Sequence, residues 1–324
     1  MVRSAPELSV VIPVLDEEAN IPLLYDRLRT ALGPAVESFE LIFVNDGSRD
    51  GSLAALHKLA ALDGRVRYVD LTRNFGQQVA LCAGLDRARG ELIATMDGDL
   101  QHPPEVLPQM VERVREGHPL VYGRRRGRAG EGWFKRTASR LFNRVFKRLT
   151  GIDMVADAAD FRLFTRDVLH QLSEMPESQK FLRGQLAWLG YSYALVDYDG
   201  VAREGGKPGY TLSRMLRLGA DAITGFSILP LRFATLMGFV VSGISFALIL
   251  YALISRLIVG SYEPGWASLM VSLLFIGGIQ LIAIGIIGEY MGRINENVRD
   301  RPLYVVRESN AHEPSELPVP PEEA

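Results

Sequence analysis

Short apolar runs alternate with amphipathic stretches along the first hundred residues. Segments 8–14 (LSVVIPV), 40–44 (ELIFV), 66–71 (VRYVDL) and 92–96 (LIATM) are rich in β-branched residues and end at turn formers or polar clusters. They predict strands. Between them, 17–32, 52–62 and 77–87 carry apolar residues at helical spacing and predict helices. Strand and helix in this alternation imply an α/β domain with a largely parallel sheet, because parallel neighbours need crossover connections that cover both faces. Ligands of such sheets bind beyond the carboxyl ends of the strands, so the loops after 14, 44 and 96 are where chemistry is expected.

The pattern changes towards the C-terminus. Residues 233–255 form 23 positions without a charge, and 264–288 form 25 more. About 20 apolar residues cross the hydrocarbon, so each run is long enough. The short link at 256–263 makes the pair a hairpin. Arg214, Arg217 and Arg232 precede the first run, Arg293, Arg299, Arg301 and Arg307 follow the second, and the link carries only Arg256. That asymmetry places both termini and the N-terminal region on the cytoplasmic side of a plasma (inner) membrane crossed more than once. The N-terminal apolar run is too short for a signal peptide. The expected organisation is a cytoplasmic domain at 1–210, amphipathic juxtamembrane helices at 211–231, and a membrane segment at 232–290. Its two helices span about 233–255 and 266–288. A cytoplasmic tail at 291–324 follows, disordered from Ser309 on, where Pro and Glu dominate.

Composition narrows the function. The mean hydropathy of +0.08 is high for a chain with 23% charged residues, which fits the concentrated apolar runs. A net charge of −2 excludes a uniformly basic nucleic-acid binder. Cys82 is the single cysteine, and His57, His102, His118, His170 and His312 are scattered, so neither a disulfide nor a Cys- or His-based metal site is expected. Positive charge is local: 124–148 holds ten Lys/Arg against one acid, Glu131. Without interleaved stacking aromatics, this stretch points to anionic headgroups or a phosphate-bearing lipid, and not to nucleic acid. Phe134, Leu141, Phe142, Val145, Phe146 and Leu149 share one helical side there, as in an interfacial helix.

Two acidic constellations stand at predicted strand ends. Asp97-Gly98-Asp99, followed by Leu100 and Gln101, offers carboxylates that suit a hard cation such as Mg²⁺ or Mn²⁺. Asp16-Glu17-Glu18 and Asn45-Asp46-Gly47-Ser48 supply carboxylates able to accept hydrogen bonds from a base N–H or a ribose hydroxyl. No G-x-G-x-x-G or G-x-x-x-x-G-K-[ST] motif occurs.

The segments IPVLDEEANI, FVNDGSRDGS, LTRNFGQQVAL, MDGDLQHPPEVL, ADAADFRLF, FLRGQLAWLGY, REGGKPGYTLSRM and GIIGEYMGRINENVRDRPLYVV follow one another in this order. Together they resemble the polyprenyl-phosphate glycosyltransferases of the family-2, GT-A type, above all the bactoprenol (undecaprenyl-phosphate) glucosyltransferases, with dolichol-phosphate mannose synthases as more distant relatives. The resemblance implies a GT-A nucleotide-diphospho-sugar transferase domain followed by a two-helix transmembrane hairpin. It implies metal-dependent, inverting transfer of a hexose, glucose from UDP-glucose, to undecaprenyl phosphate. GDP-mannose or a UDP-aminosugar would serve as alternative donors. On this resemblance Pro13, Asp16, Glu18, Asp46, Asp97, Arg124 and Arg203 bind the nucleotide sugar, with Asp46 on the base. Asp99 and Gln101, with Asp97, hold Mg²⁺ or Mn²⁺. Lys135, Arg136 and Ser139 take the lipid phosphate, and Asp160 is the catalytic carboxylate. Pro208-Gly209 departs from the family's usual small polar residue and Lys. Relatives form homo-oligomers, tetramers among them. A processive polysaccharide synthase would need more spanning helices and a Q-x-x-R-W motif, which is absent. A non-catalytic membrane scaffold would not need Asp97, Asp99 and Asp160 together.

Overall fold

The computed structural model describes residues 5–126, 158–175, 177, 180–199, 229–254, 265–299 and 301–313. In chain order the elements are β1 (Leu8–Val14), α1 (Asn20–Leu32), β2 (Phe39–Asn45), α2 (Ser52–Leu62), β3 (Val66–Leu71), α3 (Gln77–Leu85) and β4 (Leu92–Thr95). A 3₁₀ turn (Pro104–Val106) then leads to α4 (Leu107–Arg115), β5 (Leu120–Arg126), β6 (Ala158–Thr165), α5 (Arg166–Ser173), α6 (Leu182–Leu189) and β7 (Tyr193–Asp199). The last elements are α7 (Leu229–Ile254), α8 (Trp266–Val298) and β8 (Val306–Ser309). They fall into two compact units: Met1–Lys147, Gly151–Thr211 and Arg301–Ala324 make the first, Arg148–Thr150 and Leu212–Asp300 the second.

The first unit is built on an eight-stranded sheet in the order β7-β5-β6-β4-β1-β2-β3-β8. Strand β1 lies near the middle, parallel to β2 and β4, and every residue of β1 and β2 is buried, as expected of parallel strands covered on both faces. Alternation sorts their side chains. Val10, Ile12 and Val14 pack with Ile21, Leu24 and Leu28 of α1 on one face, while Val11, Ile42 and Val44 pack with Ala80 and Leu81 of α3 on the other. Helix α3 lies so near the sheet that a Cβ at Gly84 would stand 2.3 Å from Val11 Cγ1.

The sheet is more mixed than the strand–helix rhythm predicts. Strand β6 runs antiparallel to both β4 and β5, β5 is parallel to β7, and β8 is antiparallel to β3. The physical reason is that β6 (AADFRLFT) interleaves Asp160 and Arg162 with its apolar residues, so no continuous apolar run marks it. Helix α1 begins at Asn20 and not at Glu17; the backbone N–H groups of Glu17 and Glu18 donate to Ser52 Oγ (3.0 Å) at the start of α2 and to Asp50 Oδ2 (3.1 Å) of the loop before it. The C-terminal segment also differs from its compositional expectation. Ser309 belongs to β8, and Asn310 Oδ1 accepts from the Tyr68 backbone N–H at 2.6 Å, so the chain is ordered there by β3.

In the second unit α7 and α8 pack on each other. Their flanks expose Phe239, Phe246, Leu273, Leu281 and Ile282. Among the described residues one stretch, Phe275–Gly292, is long and apolar enough to cross a membrane, and none of it is buried. Helix α8 runs on past that stretch to Val298. The expected link at 256–263 and most of the juxtamembrane segment at 211–231 lie outside the described residues.

Candidate active site

The carboxyl ends of β1, β2 and β4 and the amino end of the antiparallel β6 carry the acidic groups, and the segment from β3 into α3 threads between them. Asp46, 3% exposed, accepts the backbone N–H of Phe75 at 2.7 Å and of Gly76 at 2.9 Å, one on each carboxylate oxygen. Burial raises its pKa and the two N–H groups pull the other way. Gly47, at φ 73°, lies directly under this loop: a Cβ there would meet the Arg73 carbonyl carbon and the Asn74 nitrogen at 2.6 Å. Two amides then follow. Gln77 Nε2 donates to Asp97 Oδ1 at 2.5 Å, and Gln78 Nε2 donates to Asp160 Oδ2 at 3.2 Å. Three of the predicted acids are thus tied to one loop.

Asp97 and Asp99 stand where β4 breaks. A Cβ at Gly98 would lie 2.9 Å from Val14 Cγ1, so only glycine lets this turn rest on β1. Leu100 takes a left-handed conformation at φ 62°. Gln101 turns back on Asp99, donating from its backbone (3.1 Å) and from Nε2 (2.6 Å). His102, 4% exposed, stacks on Phe161 at 5.1 Å and accepts the Asp97 backbone N–H on Nδ1 at 3.0 Å. Burial pushes its pKa down to about 4, so it holds the turn as a neutral ring. The Asp97 carboxyl is pushed up to about 7, first by burial and then by the charges of Asp160 and Asp99.

Asp160 is held by Arg162, which is 1% exposed and runs up the same strand. The Thr95 hydroxyl donates to the Asp160 carbonyl at 2.8 Å, which keys β6 to the end of β4.

The remaining predicted residues are placed as follows. Pro13 sits in β1, with its carbonyl oxygen 3.1 Å from where a Gly98 Cβ would be. Asp16, at φ 56°, and Glu18 accept the backbone N–H groups of Arg49 (2.7 Å) and Gly51 (2.9 Å), zipping the loops after β1 and β2 together. The Arg124 guanidinium forks onto Asp197 of β7 at 2.6 and 2.9 Å. Lys135, Arg136, Ser139 and Arg203 lie outside the described residues. Gln77, Gln78, His102, Arg162 and Asp197 join the site from outside the predicted set. The first two sit in the quoted LTRNFGQQVAL segment, where nothing in the sequence marks a neutral amide as the partner of a carboxylate.

These residues fit a divalent cation. Asp97, Asp99 and Asp160 are close enough for the charges of the last two to raise the first, and a cation there would relieve that repulsion. Among the described residues no three Asp, Glu, His or Cys side chains form a ready-made cage. That suits a hard cation that uses one or two carboxylates and takes its other oxygens from substrate phosphates and water.

The comparisons agree with this geometry. Residues 9–173 match the Glycosyl transferase family 2 profile. The chain is 41% identical over 303 residues to the uncharacterized glycosyltransferase YkcC of Bacillus subtilis (strain 168), covering 94% of each chain. It is 36% identical over 308 residues to the SfII prophage-derived bactoprenol glucosyl transferase of Shigella flexneri, covering 95% of this chain and 100% of that one. Among solved structures, glucosyl-3-phosphoglycerate synthase from Mycobacterium tuberculosis, in complex with Mn²⁺, uridine diphosphate and phosphoglyceric acid, matches with a TM-score of 0.50. The match covers 68% of this chain and 76% of that one at 20% identity, a likeness of fold. With the profile along half its length and such relatives along nearly all of it, the chain belongs to glycosyl transferase family 2, an enzyme with the GT-A fold.

Proposed function

We propose that this glycosyltransferase moves a hexose, glucose from UDP-glucose, onto the phosphate of undecaprenyl phosphate. The observation that carries the reading is the gathering of Asp97, Asp99 and Asp160 at the strand ends, with Gln77 on Asp97 and Gln78 on Asp160. The bactoprenol glucosyl transferase relative, similar along its whole length, supports a polyprenyl acceptor. The exposed apolar stretch Phe275–Gly292 supports work at a membrane. On this reading 232–290 is a two-helix transmembrane hairpin, the catalytic unit and both termini are cytoplasmic, and the enzyme is a homo-oligomer in the plasma membrane.

Asp46, with Pro13, Asp16 and Glu18, forms the nucleotide side of the site, and Arg124 and Arg203 take donor phosphates. Asp99, Gln101 and Asp97 would hold Mg²⁺ or Mn²⁺, which supplies charge to offset that on the departing diphosphate. The nucleophile is a phosphate oxygen of the acceptor. A phosphate monoester has a second pKa of about 6 and is largely dianionic at neutral pH, so little proton removal is needed. Asp160, gripped by Arg162 and Gln78, is better suited to orient the acceptor or to stabilise an oxocarbenium-like carbon than to take a proton. Lys135, Arg136 and Ser139 receive the lipid phosphate. One displacement inverts the anomeric carbon and gives a β-linked lipid sugar from an α-linked donor.

The test is a panel of nucleotide sugars offered with undecaprenyl phosphate and Mg²⁺ or Mn²⁺, with the lipid product identified by mass. Release of UDP that depends on the lipid is the expected result. Release without it, or a polymer as product, overturns the assignment.

A further inference from the structure

The segment that follows α8 returns to the sheet, where Val306 of β8 pairs with Leu71 at the carboxyl end of β3. Asp70, near the end of β3, is fully buried and registers against Asn45 of β2. Its Oδ1 accepts Asn45 Nδ2 at 2.7 Å, and its Oδ2 lies 3.1 Å from Arg307 Nη1. A carboxylate taken wholly out of water needs a counter-charge, and Arg307 supplies one from β8. From Asn45 the chain of contacts continues. Asn45 Oδ1 accepts the Ser48 hydroxyl at 2.5 Å, and Ser48 Oγ accepts the Asp16 backbone N–H at 3.0 Å. Arg307 also works along a second branch. Its Nη2 donates to the Thr72 carbonyl at 2.9 Å, while the Thr72 N–H donates to the Val305 carbonyl at 3.0 Å. Thr72 opens the loop that carries Phe75 and Gly76 to Asp46, Gln77 to Asp97 and Gln78 to Asp160.

We propose that Arg307 is a positioning residue for the donor site: through Asp70 and Asn45 it sets the loop bearing Asp46 and Ser48, and through Thr72 it sets the loop bearing Gln77 and Gln78. The inference rests on the nucleotide-sugar reading given above. Both branches converge on the strand-end acids, and among the described residues neither passes through Arg124, Arg125 or Arg126. Loss of Arg307 therefore loosens Asp16, Asp46 and Asp97 on the donor side. Any shift of Asp160 falls on turnover and leaves the affinity for the lipid phosphate, given above to Lys135, Arg136 and Ser139, unchanged. Lysine at this position keeps a charge opposite Asp70, but a single ammonium cannot also reach the Thr72 carbonyl in the fork geometry of a guanidinium.

The experiment uses the full chain in nanodiscs, with Arg307→Ala and Arg307→Lys beside the wild type. Steady-state kinetics vary UDP-glucose and undecaprenyl phosphate in turn, and amide hydrogen exchange is followed at Phe75 and Gly76. Expected for Arg307→Ala is a rise of about 10-fold in the Michaelis constant for the nucleotide sugar. The constant for the lipid should stay within about twofold. Exchange at both amides should accelerate, and Arg307→Lys should fall between the two. Equal changes in both constants, or a lower melting temperature with neither constant moved, overturns the proposal. Should Arg307→Ala fail to fold, the lysine variant carries the same split: a donor-only effect supports the proposal and a parallel effect overturns it. A wild type that binds no nucleotide sugar defeats the functional reading instead. In that case faster exchange at Phe75 and Gly76 still upholds the positioning role, and unchanged exchange removes it.

Discussion

Asp46 offers the sharpest test of how the site is held. A carboxylate that only touched a nucleotide would be exposed, and replacing it would lower donor affinity without changing stability. Instead Asp46 is 3% exposed and both oxygens accept backbone N–H groups, at 2.7 and 2.9 Å. Asparagine keeps one acceptor oxygen but turns an NH₂ towards the other N–H. One charge-assisted bond is lost, a buried donor is orphaned, and the remaining bond becomes neutral. Together these cost about 2–3 kcal/mol. For a unit of this size that corresponds to a fall in melting temperature of roughly 4–12 °C. Because Gly76 leads directly into Gln77, the released loop also misplaces the amides that hold Asp97 and Asp160, so UDP-glucose affinity should fall about 10- to 100-fold. Thermal unfolding and calorimetric titration of the same detergent-solubilised Asp46→Asn protein measure both effects. Weakened binding with a melting temperature within about 2 °C of wild type would refute the positioning argument.

Other outcomes follow from the same geometry. Asp99→Asn should lower turnover about 100-fold at saturating Mg²⁺ or Mn²⁺, and near-normal turnover would remove Asp99 from the metal site. Lys135→Ala with Arg136→Ala should raise the Michaelis constant for undecaprenyl phosphate about 10- to 100-fold and leave that for UDP-glucose alone; equal changes would defeat the lipid-phosphate role. Asp63, held by the Arg65 guanidinium first and also by the Arg65 backbone N–H and the Tyr25 hydroxyl, has its carboxyl lowered to about 2. A depressed carboxylate stabilises the fold above its unfolded value, and that contribution fades as pH falls from about 4 to 2. Unfolding free energies from denaturant titrations at pH 7 and pH 3 should therefore differ less in Asp63→Asn than in wild type, by about 1 kcal/mol after allowance for solvent around Arg65.

The part of the fold legible in the sequence is the part whose strands are buried on both faces. Strands β1 to β4 show as apolar runs because most of their side chains enter the two apolar clusters flanking the sheet, with Ser9–Glu40 and Asn45–Asp70 as paired polar exceptions. Strand β5 ends in three arginines, two of them, Arg124 and Arg126, paired with Asp197 of the neighbouring β7, so its charge masks its strand character. Asp46, Asp97 and Asp99 could be found because acids at strand ends are unusual enough to stand out, whereas Asp160 was reached through the family resemblance. Gln77, Gln78 and His102 could not, since a neutral side chain acquires its meaning only when a loop brings it to a carboxylate. Arg307 shows the opposite error: counted in the sequence as one more charge flanking a membrane run, it answers a buried Asp70.

The eighth strand also bears on the order in which the molecule can be made. A ribosome delivers β1 to β7 first, then the apolar helices, and only then the residues that cover the outer edge of β3. Until then that edge presents unpaired backbone groups, the kind of surface on which strands of different chains join. Nascent catalytic domain therefore stays incomplete until the apolar helices have left the exit tunnel. A fragment cut before Arg301 to obtain a soluble enzyme would keep that unfinished edge permanently, so expression trials should graft 301–313 back onto it.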